Sequence, residues 1–526
     1  MLNTLKSLRG MVTAPHHLAS QAGLSVLRDG GNAVEAAVAM AAALAVVYPH
    51  MNSIGGDSFW LIAEPEGKVH GVSAVGAAAA NASLDLYAQA GLETIPWRGP
   101  LAANTVAGTI SGWEAALALV DNPMPLGRLL RDAIHHAEAG VVVTAGGAEI
   151  ARDKDAELRD VFGYAELFRP GGPLQEGAIL KQPALARTLR RLAETGLASF
   201  YRGELANDIA RDLEKAGSPV SPADLAAHRA TTPRPLSAAI RDAQLYNMTP
   251  PTQGIASLLI LALFDRLAAD EADGFEHVHG LVEATKQAFL IRDRYVGDPA
   301  YMTVDPQAML DDGDLLDRLA GAIDPDTALP WPQMANPGDT VWFGAIDGEG
   351  RAVSAIQSTY FELGSGVVLP ETGIIWQNRG ASFRLAPDGW NALKPGCKPF
   401  HTLNPAMARF NDGRIMAYGT MGGEGQPQTQ AALFTRYSRF GMPLQQAVTA
   451  PRWLLGKTWG AESATLKLED RFEPGLYDRL RTAGHDVELM APFTSAMGHA
   501  GALVRHPDGV IEGATDPRSD GAVAGW

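Results

Sequence analysis

The run AAVAMAAALAVVY at residues 36–48 constrains this chain more than any other stretch. It is too short to span a bilayer and follows Glu35 within one helical pattern, so it predicts a helix buried in a protein core. Asn32, with Glu35 three residues later, caps its start, and the pattern ends before Pro49. An earlier helix from Leu18 to Arg28 stops at Gly30-Gly31. Two packed helices, then a Gly-Gly turn and the strand-like SFWLIAE, predict helix layered on sheet.

A chain of 526 residues, 46% of them hydrophobic, can bury a core on that scale. Its formal net charge of -16 repels phosphate backbones and anionic lipid, which argues against nucleic acid and membrane as partners and for small molecules. The single cysteine, Cys397, makes no internal disulfide and no zinc cluster. The opening MLNTLKSLRG lacks the apolar core of a secretory signal, and the expected setting is cytoplasmic.

Residues 124–215 carry helical periodicity with charged faces, as in DAIHHAEAG and QPALARTLRRLAETG, and predict a helical wing. Helical patterns return over 255–297. Residues 298–338 are rich in Asp, Pro and Gly and predict an exposed irregular segment. Beyond it VWFGAID and RAVSAIQS flank the hairpin turn DGEG, and further strands are expected at GIIWQN, AMARF, RIMAYGT and AGALVRH. The class is α+β; a four-layer αββα sandwich fits, although periodicity alone does not select it.

Thr340 stands where Pro-Gly-Asp runs into that hairpin. Strand propensity explains a β-branched residue there. A second reading is chemical: cutting the Asp339-Thr340 bond would give Thr340 a free α-amine beside its own hydroxyl. Such an amine, with an ordinary pKa of roughly 7.7 to 8.0, accepts the hydroxyl proton near neutral pH without a separate base. Gly55-Gly56-Asp57 and Gly422-Gly423-Glu424-Gly425 read as turns. The second also reads as adjacent amides aimed at an anion or a developing oxyanion, since no Cβ blocks the approach. Gly456-Lys457-Thr458 resembles the end of a phosphate loop, but Pro451 occupies the place of its first glycine. His277 with His279, and His16 with His17, find no third ligand by spacing, and neither metal nor cofactor is expected.

The chain resembles the gamma-glutamyltranspeptidase family of N-terminal-nucleophile hydrolases. The likeness runs through GMVTAPHHLASQAGLSVLRDGGNAVEAAVA, NSIGGDSFWLI, MTPPTQG, HVHGLVEATKQAF, DTVWFGAIDGEGRAVSAIQS, GSGVVLPETGIIWQNR, LNPAM, GTMGGEGQPQ and GATDPRSDGAVAGW. The resemblance implies an αββα fold and self-cleavage into a large chain, 1–339, and a small chain, 340–526, intertwined as one domain. It implies that Thr340 attacks an amide carbonyl, that the Gly422 and Gly423 amides form the oxyanion hole, and that Ser358 orients the new α-amine.

The departures bear on substrate. Val341 and Trp342 follow the nucleophile where the family has Thr and His. AVG at 74–76 lacks the family's carboxylate-clamping Arg. Tyr360 and Ser382 replace the residues that grip the glutamyl amine, and His401 and Thr402 replace paired serines. A glutamyl ammonium would lack its carboxylate partner. Arg379 stands where the family has a neutral amide. It either pairs with a protein acid or, beside bulky Trp342 and Tyr360, anchors a short anionic amide by its carboxylate. DTVWFG, IQSTYFE, WQNRGASF and HTLNP resemble the oxamate amidohydrolase branch, associated with purine-nitrogen use. The expected activity is hydrolysis of oxamate to oxalate and ammonia by a dimer of heterodimers. The alternatives are a glutathione hydrolase or gamma-glutamyltransferase with an altered pocket, and an unprocessed binding protein.

Overall fold

The computed structural model describes residues 3–331, 339–456 and 463–526. Pro337 and Gly338 of the turn before Thr340, and Lys457 and Thr458 of the glycine-lysine motif, lie outside the described residues. Two antiparallel sheets form the centre. The first runs, in spatial order, Ala522–Gly525, Gly10–Ala14, Asp339–Asp347, Ala352–Tyr360, Asp57–Ala63 and Val69–Ala74. The second runs Leu5–Ser7, Ile511–Thr515, Ala500–Arg505, Ile415–Thr420, Ala406–Phe410, Ala243–Asn247 and Leu236–Ile240.

Strand alternation sorts the side chains into three cores, and these define four layers. Val341, Phe343 and Ala345 face helices His17–Arg28 and Ala33–Val47. Their neighbours Trp342 and Ile346 face the other way, meeting Met407 and Leu503 of the second sheet. The far face of that sheet, with Ala408, Met416 and Ala502, packs on helices Gly254–Phe264, Phe275–Tyr295 and Gln426–Ser438. The fold is therefore an αββα sandwich.

Helix Ala33–Val47 is buried along its whole length. Asn32 and Glu35 close the expected capping box: Asn32 Oδ1 accepts from Val34 N and Glu35 N, and Glu35 Oε2 accepts from Asn32 N at 2.8 Å. Among the described residues no helix is long and apolar enough to cross a membrane. The helical wing is present as a series of helices from Leu126–Leu129 to Glu204–Ala216.

Two expectations need correction. GIIWQN forms no ladder, only isolated bridges Val368↔Ile375 and Gly55↔Trp376, because its backbone threads between the Gly55 turn and Ser365 instead of joining a sheet edge. The Asp- and Pro-rich segment after residue 298 contains helices Pro306–Asp311 and Gly313–Gly321. Its aspartates cap them: Asp305 accepts from Gln307 N (2.8 Å) and Asp312 from Leu315 N (2.9 Å). Composition reads as a loop, but Pro306 at a helix start and buried Leu310 and Leu316 give the segment two helices, while most of its described residues remain exposed or half-buried.

Candidate active site

Thr340 is the second residue of strand Asp339–Asp347, and its side chain is buried at 1% exposure. The hairpin register pairs Val341 with Gln357 and then slips to pair Asp339 with Tyr360, so Thr340 lies opposite a β-bulge. The bulge leaves Tyr360 at φ +87, a strained conformation for a non-glycine residue, with its amide held by Ser358 Oγ at 2.7 Å. The slip thus places Ser358 beside the nucleophile position.

The second sheet supplies the other half. Strand Ile415–Thr420 runs into Met421 and then Gly422 and Gly423, at φ +117 and +54. Gly498, itself at φ +81, packs behind them: a Cβ there would meet Met421 O. Helix Gln426–Ser438 follows at once, and its first side chain reaches back: Gln426 Nε2 donates to Thr340 Oγ1 at 3.4 Å, while Gln426 Oε1 accepts from Asn404 N. The Thr340 hydroxyl is therefore tied to the glycine turn across the gap between the sheets. Among the described residues, no backbone carbonyl accepts from the Gly422 or Gly423 amide. Two such amides beside a hydroxyl nucleophile form the donor pair that a tetrahedral oxyanion requires.

Beside the bulge lies a buried polar cluster. The Arg379 guanidinium stacks on Tyr360 with Cζ 3.8 Å from the ring centre. Its Nη1 donates to Thr402 Oγ1 at 3.3 Å, and its Nε and Nη2 have no hydrogen-bond partner. The side chain is 1% exposed. Burial pulls its pKa down to about 10, against the attraction of Tyr360 and Asp57, so it remains a cation at neutral pH. His401, 0% exposed, puts Nε2 3.1 Å from Asp57 Oδ2 and leaves Nδ1 without a partner. Asp57 Oδ1 accepts from the Gly76 and Gly108 amides (3.0 Å each) and from Gln377 Nε2 (3.2 Å). Burial pushes the Asp57 carboxyl up to about 7, opposed by the Gly76 amide, the charge of Arg379, Gln377 and the Gly108 amide. Burial likewise holds the His401 imidazole well below its ordinary value, with Arg379 repelling a second charge.

Gln253 joins the two halves. Its Nε2 donates to Thr402 O (2.7 Å) and Gly423 O (2.8 Å), and its Oε1 accepts from Arg292, which also bonds Glu424 at 2.8 Å.

The gamma-glutamyltranspeptidase family model matches residues 19–526. The chain belongs to the gamma-glutamyltranspeptidase family. An "Oxamate amidohydrolase proenzyme" from Klebsiella pneumoniae is 55% identical over 99% of both chains. A "Glutathione hydrolase-like YwrD proenzyme" from Bacillus subtilis is 40% identical over 98% of both. A crystal structure of cephalosporin acylase from Bacillus halodurans superposes with a TM-score of 0.92 at 34% identity, covering 100% of this chain and 97% of that one. That crystal structure shares the αββα architecture described above.

Within this gamma-glutamyltranspeptidase framework the structure brings Thr340, Ser358, Gly422 and Gly423 to one place, and Arg379, Tyr360, His401 and Thr402 to the adjoining pocket. Trp342 is elsewhere. It fills the space between the sheets, with Nε1 bonded to Ser354 Oγ at 2.9 Å, because residues 340, 342 and 346 share the inward strand face. Ser382 donates its hydroxyl to Phe400 O. Asp57 and Gln426 escaped the sequence reading; an aspartate opening a strand after Gly-Gly, and a glutamine directly after GGEG, were the available signals.

The histidine pairs resolve differently. His277 is held by Thr435 Oγ1 and the Asp273 amide, and His16 accepts from Leu18 N at its helix start. His279 meets Glu283 and His485, with ligand atoms within 4.8 Å of one another. That group already contains its own cation: Lys286 Nζ lies 2.6 Å from Glu283 Oε1, and His279 is bonded to His485 and Asp324 O.

Proposed function

We propose that this chain is a self-processing amidohydrolase, cut between Asp339 and Thr340, that converts oxamate and water to oxalate and ammonia. The observation that carries the substrate is Arg379: a buried cation with two nitrogens left without a partner and one face on an aromatic ring. A buried guanidinium of this kind calls for an anion with planar, bidentate acceptors, and a carboxylate on a short acyl group supplies them. The 55% identical relative named for oxamate supports the same reading.

In the processed enzyme the Thr340 α-amine takes the hydroxyl proton as Oγ1 attacks the amide carbon of oxamate. The Gly422 and Gly423 amides receive the negative charge that develops on the carbonyl oxygen. The C–N bond then breaks, ammonia leaves with the proton from the α-ammonium, and an oxalyl ester remains on Thr340. Water, losing a proton to the same amine, attacks the ester; the acyl C–Oγ1 bond breaks, that proton returns to Oγ1, and oxalate leaves. Arg379 holds the spectator carboxylate throughout, which fixes the carbonyl relative to Oγ1.

The proposal extends to a cytoplasmic setting in purine-nitrogen use, where the lone buried thiol of Cys397 needs no oxidising compartment, and to a dimer of heterodimers. A gel and an ammonia assay on one preparation test the core of it. The expected result is two bands, about two thirds and one third of 55.7 kDa, and ammonia released from oxamate. Thr340→Ala should show one band and no turnover. Processed enzyme that ignores oxamate yet cleaves a γ-glutamyl anilide would replace the oxamate reading with the glutathione hydrolase one.

A further inference from the structure

The pocket around Arg379 holds an acid that the substrate reading does not use. Asp57 and His401 are 344 positions apart in sequence, both 0% exposed, and joined at 3.1 Å. With Asp57 ionised, His401 Nε2–H donates to it and Nδ1 is a bare lone pair. Adding one proton, whether it resides on Asp57 or on the imidazole, leaves a hydrogen on Nδ1 and turns that atom from acceptor to donor. Nδ1 has no partner within the protein, so either form leaves it free for a ligand.

Charge makes the choice. The ionised pair and Arg379 together sum to zero, so seating a monoanion would leave one uncompensated negative charge in a buried site. With the extra proton the empty pocket is positive and the occupied pocket is neutral. The Thr340 α-amine of the processed enzyme also titrates near neutral pH, and Asp57→Asn, which leaves it intact, separates its uptake from the pair's; the remaining groups bearing on the pair do not supply that proton. Tyr360, whose pKa burial raises to about 12, stays neutral under Arg379. The Tyr201 hydroxyl donates to Ala107 O and accepts from Ser111 N. Glu424, which acts on Tyr360, is bonded to Arg292.

We propose that Asp57 and His401 act as a proton-accepting pair that takes up one proton when the substrate's carboxylate seats on Arg379. This rests on Arg379 being the carboxylate anchor. The pair is a positioning and charge-setting device: its added proton gives the carboxylate a second donor at His401 Nδ1. It favours a monoanionic amide acid over a zwitterionic glutamyl group, whose ammonium would meet Arg379 and a protonated pair without a carboxylate to offset it.

Calorimetric titration of the processed enzyme with pyruvate, a monoanion of oxamate's shape without its amide nitrogen, tests this in two buffers of different ionisation enthalpy. At pH 8 the wild type should take up close to one proton per site, falling toward none below pH 6. Pyruvate affinity should weaken about tenfold per pH unit above the pair's titration. Asp57→Asn should bind with no proton uptake and a flat pH profile, and Asp57→Leu, a second variant should the first misfold, should do the same, whereas His401→Gln, which keeps the Asp57 carboxyl but loses the Nδ1 donor, should still take up a proton and bind more weakly. Wild-type binding without proton uptake at pH 8 overturns the pair while leaving Arg379 in place. Undiminished binding by Arg379→Gln, or no binding by wild type, overturns the anchor reading and the pair with it.

Discussion

Trp342 sets the distance between the two sheets, and Gly419→Ala tests it. The indole lies flat against two bare backbones of the second sheet. A methyl on Gly419 would stand 2.7 Å from Trp342 Cγ and nearer still to Cδ1 and Nε1, and one on Gly501 would stand 2.5 Å from Cζ3. Carbon atoms at rest lie about 3.5 to 4.0 Å apart. The ring cannot slide away, because Gly501 closes its other edge and Nε1 is bonded to Ser354 Oγ, which in turn bonds Tyr418 O. Overpacking of this kind costs about 1 to 3 kcal/mol. Losing the Nε1 bond adds about 1 kcal/mol, for a total of about 2 to 4 kcal/mol.

The functional consequence follows from what each sheet carries. Thr340 is two residues before Trp342 on the same strand, and Gly419 is three residues before Gly422 on the facing one. Moving the sheets apart separates nucleophile from oxyanion donors, and a 1 Å misplacement costs on the order of a hundredfold in rate. Gly419→Ala should therefore unfold at lower denaturant, process slowly on a timed gel, and turn over poorly once cut. In a Trp342→Leu background the same alanine should cost less than about 1 kcal/mol, giving a coupling energy within the range found for residues in contact. Equal costs in the two backgrounds would refute the reasoning.

Three further outcomes are expected. Gly422→Ala has room, its nearest foreign atom being Gly498 Cα at 3.5 Å, but φ +117 penalises a side chain; the amide should turn, with a loss on the order of 10²- to 10³-fold in kcat at nearly unchanged thermal midpoint. Arg292→Met removes the cation shared by Glu424 and Gln253 and should cost about 3 to 5 kcal/mol in chemical denaturation, most of it recovered in Arg292→Met/Glu424→Leu. For Asp516, burial works to raise the pKa, but the guanidiniums of Arg452 and Arg518 outweigh it and hold the carboxyl below its ordinary 3.8. A depressed folded value means that its stabilisation is complete above 3.8 and is lost as pH falls through the lower folded value. Acid unfolding curves of Asp516→Asn should lack that limb.

Features that depend on neighbours in the chain were legible. The capping box at Asn32 and Glu35, the hairpin around DGEG and the run at 36–48 each state their structure within a few residues. Strand alternation makes Val341 and Trp342 face opposite ways, but nothing local says which face meets helices and which meets another sheet, and the sequence alone leaves Trp342 beside the nucleophile. GIIWQN has the composition of a strand and the position of a buried loop. The Asp57–His401 pair was out of reach for a plainer reason. Its members are brought together by the fold across 344 positions; Asp57 alone reads as a turn residue, and His401, which the resemblance puts at the carboxylate site, gives no sign of its partner.

Self-cleavage would ordinarily place a nucleophile at the worst position in a chain, since new termini fray. The strand order answers this. Asp339–Asp347 is central in its sheet, with Gly10–Ala14 bonded along Gly344–Asp347 on one side and Ala352–Tyr360 along its length on the other. One of these neighbours comes from before the scission bond and one from after it. The new N-terminal strand would therefore be held by both products, and neither could leave without exposing the apolar faces of a shared sheet. The bulge at Ser358 and Thr359 then has a specific use: it interrupts pairing after Val341 and lets it resume, out of register, only at Asp339 and Tyr360, so that Thr340, the one residue that needs its amine free, lies in the gap between the two pairs.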